Sequence, residues 1–360
     1  MPSIVDKLIR DEIKALSAYH VPPAVGMVKL DAMENPFSWS DALKSLWLEK
    51  LRTVSINRYP DPNAQSVKES LRLLMGIDEQ YELMLGNGSD EIIQILAMAV
   101  AKPDRVVMAP EPSFVMYKMI ATFVGMQYVG VPLNEAFELD LDATLSAIEE
   151  HQPALIFLAQ PNNPTGTLYS RAQILAIIEA AQGLVVIDEA YMAFTDSDYL
   201  DVLDSYENVV VMRTLSKVGL AGLRLGVLIG APAWVSQFEK MRLPYNINVL
   251  TQASVEFALA HYEVLQQQTA LLREQRKILA EELEASVPHQ RIWPSEANFI
   301  LIRMEQGQAR PIFEKLKATG ILVKCLDGGH PALTDCLRLT VGSPDENQRM
   351  LDALKAVIAS

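Results

Sequence analysis

Between Tyr81 and Gly230 the sequence repeats one pattern, a short and almost purely apolar run followed by a longer amphipathic stretch. The apolar runs are Tyr81–Leu85, Arg105–Met108, Gln127–Val131, Ala154–Ala159, Leu184–Ile187, Val209–Met212 and Gly226–Gly230. Strands that are apolar at nearly every position must be covered on both faces, which is the situation of parallel strands between helical layers. Helical periodicity lies between most of them, over Asp90–Ala101, Phe114–Val124 and Ser170–Ala181. The expectation is an α/β domain with a mainly parallel sheet flanked by helices. Such sheets bind ligands beyond the carboxyl ends of their strands, so the residues just after each run are the ones to inspect.

After Pro244 the pattern changes. A helical stretch over Asn248–Ala285 precedes strand-like Arg291–Pro294 and Asn298–Met304, a helix near Ile312–Thr319, strand-like Ile321–Leu326 and Leu337–Val341, and a last helix near Asp345–Ile358. This reads as a smaller α+β lobe that part of the N-terminal segment joins. The expected division is residues 1–45 as an arm and part of the small lobe, 46–246 as the large domain and 247–360 as the small one. A chain of 360 residues suits two lobes with a cleft between them.

Formal net charge is −14, which repels a phosphate backbone and argues against nucleic acid as a partner. Anion binding must then rest on a few locally placed cations. The two cysteines, Cys325 and Cys336, supply neither metal-ligand spacing nor a disulfide framework, which fits a reducing compartment. Charged residues interrupt the first twenty positions, so neither a secretory signal nor a membrane span is expected there, and the expected location is cytoplasmic.

Four strand ends carry chemistry. The first is Gly86-Asn87-Gly88-Ser89-Asp90-Glu91, where two glycines permit a tight turn into a helix whose free N–H groups suit an anion. Taken alone it reads as an ordinary capped helix. The second, Gln160-Pro161-Asn162-Asn163-Pro164-Thr165-Gly166, is a stiff loop that presents an Asn donor. The third places Asp188 at the end of an apolar strand, where its carboxylate needs a cationic partner, with Tyr191 three residues on. The fourth is Arg213-Thr214-Leu215-Ser216-Lys217, followed by Leu220-Ala221-Gly222-Leu223-Arg224. A lysine at a buried strand end is costly unless it is paired or chemically converted, and an imine with an aldehyde cofactor is such a conversion. Pyridoxal 5′-phosphate needs this set of parts: a lysine, a carboxylate for its pyridine nitrogen, donors to its ring hydroxyl and a phosphate cradle.

On these residues the chain resembles the fold-type I aminotransferases, and among them the histidinol-phosphate aminotransferase family. The resemblance runs through Leu30-Asp31-Ala32-Met33-Glu34-Asn35-Pro36-Phe37, Arg58-Tyr59-Pro60-Asp61, Gly88-Ser89-Asp90-Glu91, Asn163-Pro164-Thr165-Gly166 and Asp188-Glu189-Ala190-Tyr191. It continues in Thr214-Leu215-Ser216-Lys217, Ser295-Glu296-Ala297-Asn298-Phe299 and Leu337-Arg338-Leu339-Thr340-Val341-Gly342. The resemblance implies that Lys217 holds the cofactor and moves the proton, Asp188 pairs with the pyridine nitrogen, and Asn163 and Tyr191 donate to the ring oxygen. It puts Ser89, Ser216 and Arg224 around the phosphate, with Asp90 organising the loop, and Phe114 stacked on the ring. It gives Tyr59 to the phosphate of a partner subunit, hence a homodimer. Arg338, Lys324, Asn35 and Tyr19 fall to the substrate.

Three departures accompany it. Phe114 stands where the family often has tyrosine, which keeps the stacking and loses the hydroxyl. The interval from Lys217 to Arg224 is one residue shorter than in many members. Lys324 stands where many have a second anion-binding arginine, and a lysine cannot fork a phosphate. The implied reaction is ping-pong transamination between histidinol phosphate and 2-oxoglutarate, in histidine biosynthesis. An aromatic amino acid aminotransferase and a threonine-phosphate decarboxylase are the alternatives on the same cofactor. The acidic balance argues against a cofactor-binding regulator of DNA, and a nicotinamide-binding protein would need a G-x-G-x-x-G that is absent after the first strand.

Overall fold

Runs that are apolar on both faces are stable only between two covering layers, and that is where the computed structural model, which describes residues 3–18 and 21–359, holds them. After a short strand β1 (Val28–Lys29), the chain forms β2 (Glu82–Asn87), β3 (Val106–Glu111), β4 (Gln127–Pro132), β5 (Leu155–Ala159), β6 (Leu184–Asp188), β7 (Val209–Thr214) and β8 (Leu225–Gly230). β2 to β8 make one seven-stranded sheet in the order β2-β8-β7-β6-β5-β3-β4. Side chains alternate between its faces with the period of two that strand geometry imposes. Ile156 and Leu158 enter one core, and Leu155 and Phe157 enter the other.

Every pairing in this sheet is parallel except those of β8, which runs antiparallel to both β2 and β7. That reversal matters for the site. The parallel strands end at the edge where β8 begins, so Arg224, one residue before β8, arrives among the residues that follow β2, β5, β6 and β7.

The second sheet contains β9 (Arg291–Ile292), β10 (Phe299–Arg303), β12 (Lys324–Cys325) and β13 (Cys336–Thr340), in the antiparallel order β12-β13-β10-β9. Helices Tyr262–Ser286, Ala309–Ala318 and Pro344–Ala359 cover it through Leu272, Leu279, Leu283, Ile312, Leu316, Leu351 and Leu354. Strand β11 (Ile321–Leu322) pairs in parallel with β1, which ties the N-terminal segment to this lobe.

Two elements differ from the sequence reading. The helical stretch over 248–285 is two helices, Val249–Ala260 and Tyr262–Ser286, broken at His261, whose backbone (φ −126, ψ 34) leaves the helical region. The run Ile321–Leu326 is also not one strand. It splits at Val323, which is buried in the small-lobe core, so that β11 pairs with β1 and β12 with β13. Hydrophobicity alone cannot reveal either break, because the helical or strand-like pattern runs on through both. Among the described residues no helix is long and apolar enough to cross a membrane, and no group of three His, Cys, Asp or Glu could hold a metal ion.

Candidate active site

The strand ends converge on one cavity lined by Ser89, Asp90, Phe114, Tyr117, Asn163, Asp188, Tyr191, Thr214, Ser216, Lys217 and Arg224. Its floor begins where β2 turns into helix Ser89–Val100 through Gly88 (φ +80). A Cβ on Gly88 would lie 2.4 Å from Nη2 of Arg224, and one on Gly226 2.7 Å from the backbone of Gly88. Both positions must be glycine for the arginine and β8 to come this close to the helix start. Arg224 takes a left-handed backbone (φ 52) and donates to Asp90 Oδ2 at 3.1 Å. The helix N-terminus, the hydroxyls of Ser89 and Ser216 and the Arg224 guanidinium together form an anion cradle.

Lys217 lies in a π-type turn over Ser216–Leu220, closed by the Leu220 N–H to the Leu215 carbonyl at 3.2 Å. Such turns are unusual and often mark functional positions. Gly219 (φ +126) allows the turn, and a Cβ there would meet Asn35 at 3.0 Å. Asn35 was expected at the substrate, but its side chain is occupied in bracing this turn. Its amide donates to the Val218 carbonyl and to Gln268 Oε1, both at 3.0 Å, and its oxygen accepts from the Phe37 N–H at 2.9 Å. The Lys217 amine donates to the carbonyl of Ala32 at 3.1 Å. Burial, with the Arg338 charge nearby, brings this amine down to about 8, so a useful fraction is neutral and nucleophilic near neutral pH.

Asp188, at the end of β6, is 4% exposed. Its Oδ2 accepts from the Tyr117 hydroxyl at 2.6 Å and its Oδ1 from the Ala190 N–H at 3.1 Å. Burial pushes it up to about 6, against those two hydrogen bonds and the through-space pull of Lys217. Among the described residues it forms no salt bridge, so it is a buried carboxylate suited to an incoming cation. Its neighbour Glu189 points the other way, into a buried pair with Arg213 Nε at 2.8 Å. Tyr191 is buried edge-on against Phe299, and burial raises its hydroxyl well above the ordinary phenol range.

The loop after β5 is wired by Asn162, which donates to the Pro112 carbonyl at 3.0 Å and to Thr165 Oγ1 at 2.9 Å, and accepts from Ser113 Oγ at 2.8 Å. That leaves Asn163 to face the cavity. Its Oδ1 accepts from Arg338 Nη1 at 2.6 Å, which turns its amide nitrogen towards the site. Arg338 also donates to the Asp31 carbonyl at 2.8 Å, so it joins both lobes and the N-terminal segment.

Outside Phe114, Asn163 and Met33 a second cavity of about 540 Å³ opens, lined also by Lys324, His330 and Arg338. Lys324 and Arg338 are direct partners across β12 and β13, so their side chains leave the same face of the sheet. Tyr59 lies away from both cavities, 80% exposed and stacked on Tyr245 with ring centroids 4.4 Å apart. Tyr19 lies outside the described residues.

Tyr117 is the site residue that sequence reading missed. The available signal was its place three residues after Phe114 at a helix start, which puts both on one face. The arrangement provides a depressed lysine amine to attack a carbonyl, a cradle for a phosphate and a buried carboxylate for a protonated heterocycle. A pair of cations stands beyond them.

Comparison with known proteins fits this chemistry. Residues 25–354 match the family model described as aminotransferase class I and II. Histidinol-phosphate aminotransferase 2 of Nitrosococcus oceani is 53% identical over 98% of each chain, and the histidinol-phosphate aminotransferase of Chromobacterium violaceum is 50% identical over 99% of each. The fold superposes on a crystal structure of histidinol-phosphate aminotransferase from Sinorhizobium meliloti, solved with pyridoxal 5′-phosphate, with TM-score 0.87 and 24% identity over 98% of each chain. With its lysine, carboxylate and anion cradle at the ends of one parallel sheet, the chain belongs to the pyridoxal-phosphate-dependent aminotransferases of class I and II, within their histidinol-phosphate aminotransferase branch.

Proposed function

We propose that this enzyme moves an amino group between L-histidinol phosphate and 2-oxoglutarate by a ping-pong mechanism, giving imidazole acetol phosphate and L-glutamate, in histidine biosynthesis. The observation that carries the substrate is the cross-strand pair Lys324 and Arg338 beside Asn163, two cations on one face for one phosphate dianion. The near-complete match to relatives named for this substrate supports it.

The residues fit the cofactor. Asp188 is buried without a salt bridge among the described residues, as a partner for a pyridinium would be, and Gly88 lets the Arg224 guanidinium close on the helix start as part of an anion cradle. When bound, pyridoxal phosphate supplies an electron sink for negative charge at the substrate α-carbon. Asp188 would keep the pyridine nitrogen protonated. The Asn163 amide and the Tyr191 hydroxyl would hold the ring oxygen, Phe114 would cover the ring, and Ser89, Ser216 and Arg224 would bind the phosphate, with Asp90 fixing Arg224. Lys217 would anchor the cofactor covalently and, once displaced by substrate, carry the proton from the substrate α-carbon. Arg338 and Lys324 would hold the anionic end of either substrate.

The assembly is a homodimer in this reading. Leu46, Leu48, Ile56, Tyr59 and Leu243 are more than half exposed, apolar side chains that a second copy would cover. Tyr59 would there reach the partner's cofactor phosphate. Two free cysteines support a cytoplasmic location.

The deciding experiment follows the cofactor's visible absorbance when the enzyme meets one amino donor without an acceptor. Histidinol phosphate should bleach it rapidly, and phenylalanine and threonine phosphate only slowly. Equal bleaching by phenylalanine would make the enzyme an aromatic aminotransferase, and carbon dioxide released from threonine phosphate would make it a decarboxylase.

A second expectation concerns pH. Because the Lys217 amine is lowered to about 8, its neutral fraction grows as pH rises through that value and then levels. Cofactor capture by the apoenzyme should therefore accelerate roughly tenfold per pH unit below the inflection and flatten above it. Stopped-flow absorbance checks this, and a rate still climbing steeply at pH 10 would show an ordinary lysine.

A further inference from the structure

Tyr117 has no part in the roles assigned so far, yet it is fully buried and its hydroxyl ends at the carboxylate of Asp188. Its ring is fixed from two sides, stacked on Phe157 with centroids 4.4 Å apart and 5° between planes, and edge-on to Phe114 at 5.6 Å and 88°. Phe157 belongs to β5, which lies between β3 and β6 in the sheet. From helix Met116–Val124 the hydroxyl thus reaches Asp188 at the end of β6 beside the Phe157 ring, along a line that the stacking leaves little freedom to change. It donates at 2.6 Å to Oδ2, while the Ala190 N–H holds Oδ1. A short phenol–carboxylate bond with little water near it favours the ionised acid, and it also fixes which lone pairs remain for another partner.

We infer that Tyr117 is a positioning residue that keeps Asp188 ionised and aimed, so that the site accepts the cofactor with its ring nitrogen protonated. The inference rests on the reading of Asp188 as the partner of that nitrogen. The other groups acting on Asp188 do not replace the phenol. Asp90, from helix Ser89–Val100, opposes its ionisation, and Lys217, from the π-type turn, favours it only through space. Tyr191 has a hydroxyl that burial keeps neutral. The Ala190 N–H remains whatever side chain stands at 117. Among the causes that hold the carboxyl down against burial, the Tyr117 hydrogen bond is the largest.

Without the phenol the folded carboxyl titrates higher still, so more of it is neutral at a given pH, and a neutral acid cannot offset a pyridinium. The loss should be greatest on the acid side and should disappear where the carboxyl is ionised in both proteins.

The experiment measures cofactor dissociation constants for parent and Tyr117→Phe apoenzymes, by fluorescence titration with pyridoxal phosphate between pH 6 and 8.5. Phenylalanine keeps the stack on Phe157, so folding should be intact, and the thermal midpoint checks it. The expected result is roughly tenfold weaker binding near pH 6.5 that converges on the parent by pH 8.5. A ratio of one at every pH overturns the inference, as does a constant loss that tracks a lowered thermal midpoint. Asp188→Asn supplies the second arm. In that background Tyr117→Phe should change binding by less than twofold, and a further tenfold loss would show that Tyr117 acts elsewhere. If Asp188→Asn alone binds cofactor like the parent, the reading of Asp188 fails, which is a separate result from failure of Tyr117.

Discussion

Replacing Lys217 by alanine is expected to lower transamination by roughly four orders of magnitude or more, with little change in stability. In the proposed mechanism two functions are lost together, the covalent hold on the cofactor and the base at the substrate α-carbon. Nothing else in the cavity can substitute for them. The Arg224 guanidinium is held by Asp90 and that of Arg338 by Asn163 and the Asp31 carbonyl, and burial raises the Tyr191 hydroxyl well above the ordinary phenol range. The fold should tolerate the change, because the amine makes one hydrogen bond, to the Ala32 carbonyl, and its burial in charged form is itself unfavourable. Lys217→Arg separates charge from chemistry: it keeps the cation and should be as inactive as the alanine variant. Turnover gives the first readout and borohydride labelling the second, since neither variant should retain cofactor after reduction and denaturation. Either variant turning over within a hundredfold of the parent would remove Lys217 from the mechanism.

The parts of this site that were legible in the sequence are those that follow a strand. Asp188 ends β6, and Ser89, Lys217 and Asn163 stand two to four residues after a strand of the sheet, and apolar runs reveal strand ends well. Arg224 was legible for a related reason, since it immediately precedes β8, which starts at the same edge. What stayed hidden depends on strand order and on register. Tyr117 meets Asp188 because its helix packs on the sheet with the ring stacked on Phe157 of β5, the strand next to β6, and no local pattern specifies that neighbour relation. Asn35 is hidden in another way. An asparagine near a motif suggests a ligand contact, but three hydrogen bonds commit its side chain to the turn that carries Lys217, to Gln268 and to its own loop. At His261 the helical pattern runs on across the break, and at Val323 the strand-like run continues while the partner changes from β1 to β13.

Arg338 joins several of these parts, and Arg338→Ala should lower kcat/KM for donor and acceptor alike by roughly a hundredfold to a thousandfold. The guanidinium is buried in β13, crosses the Phe299 ring at 5.4 Å, and donates to Asn163 and to the Asp31 carbonyl. A planar fork held this way is preorganised for an anion, so the loss should appear mainly in KM. Arg338→Lys keeps the charge without the fork and should fall between the two. A second consequence separates this role from simple damage. The Arg338 charge helps hold the Lys217 amine down near 8, and removing a like charge favours protonation. In Arg338→Ala the pH inflection for cofactor capture should therefore move upward, and capture near pH 7.5 should slow severalfold, while cofactor affinity above the inflection stays close to that of the parent. Substrate kinetics and the capture profile test the two halves independently. Near-normal KM values would move the substrate anion elsewhere in the cleft, and an unmoved inflection would show that burial alone sets the reactivity of Lys217.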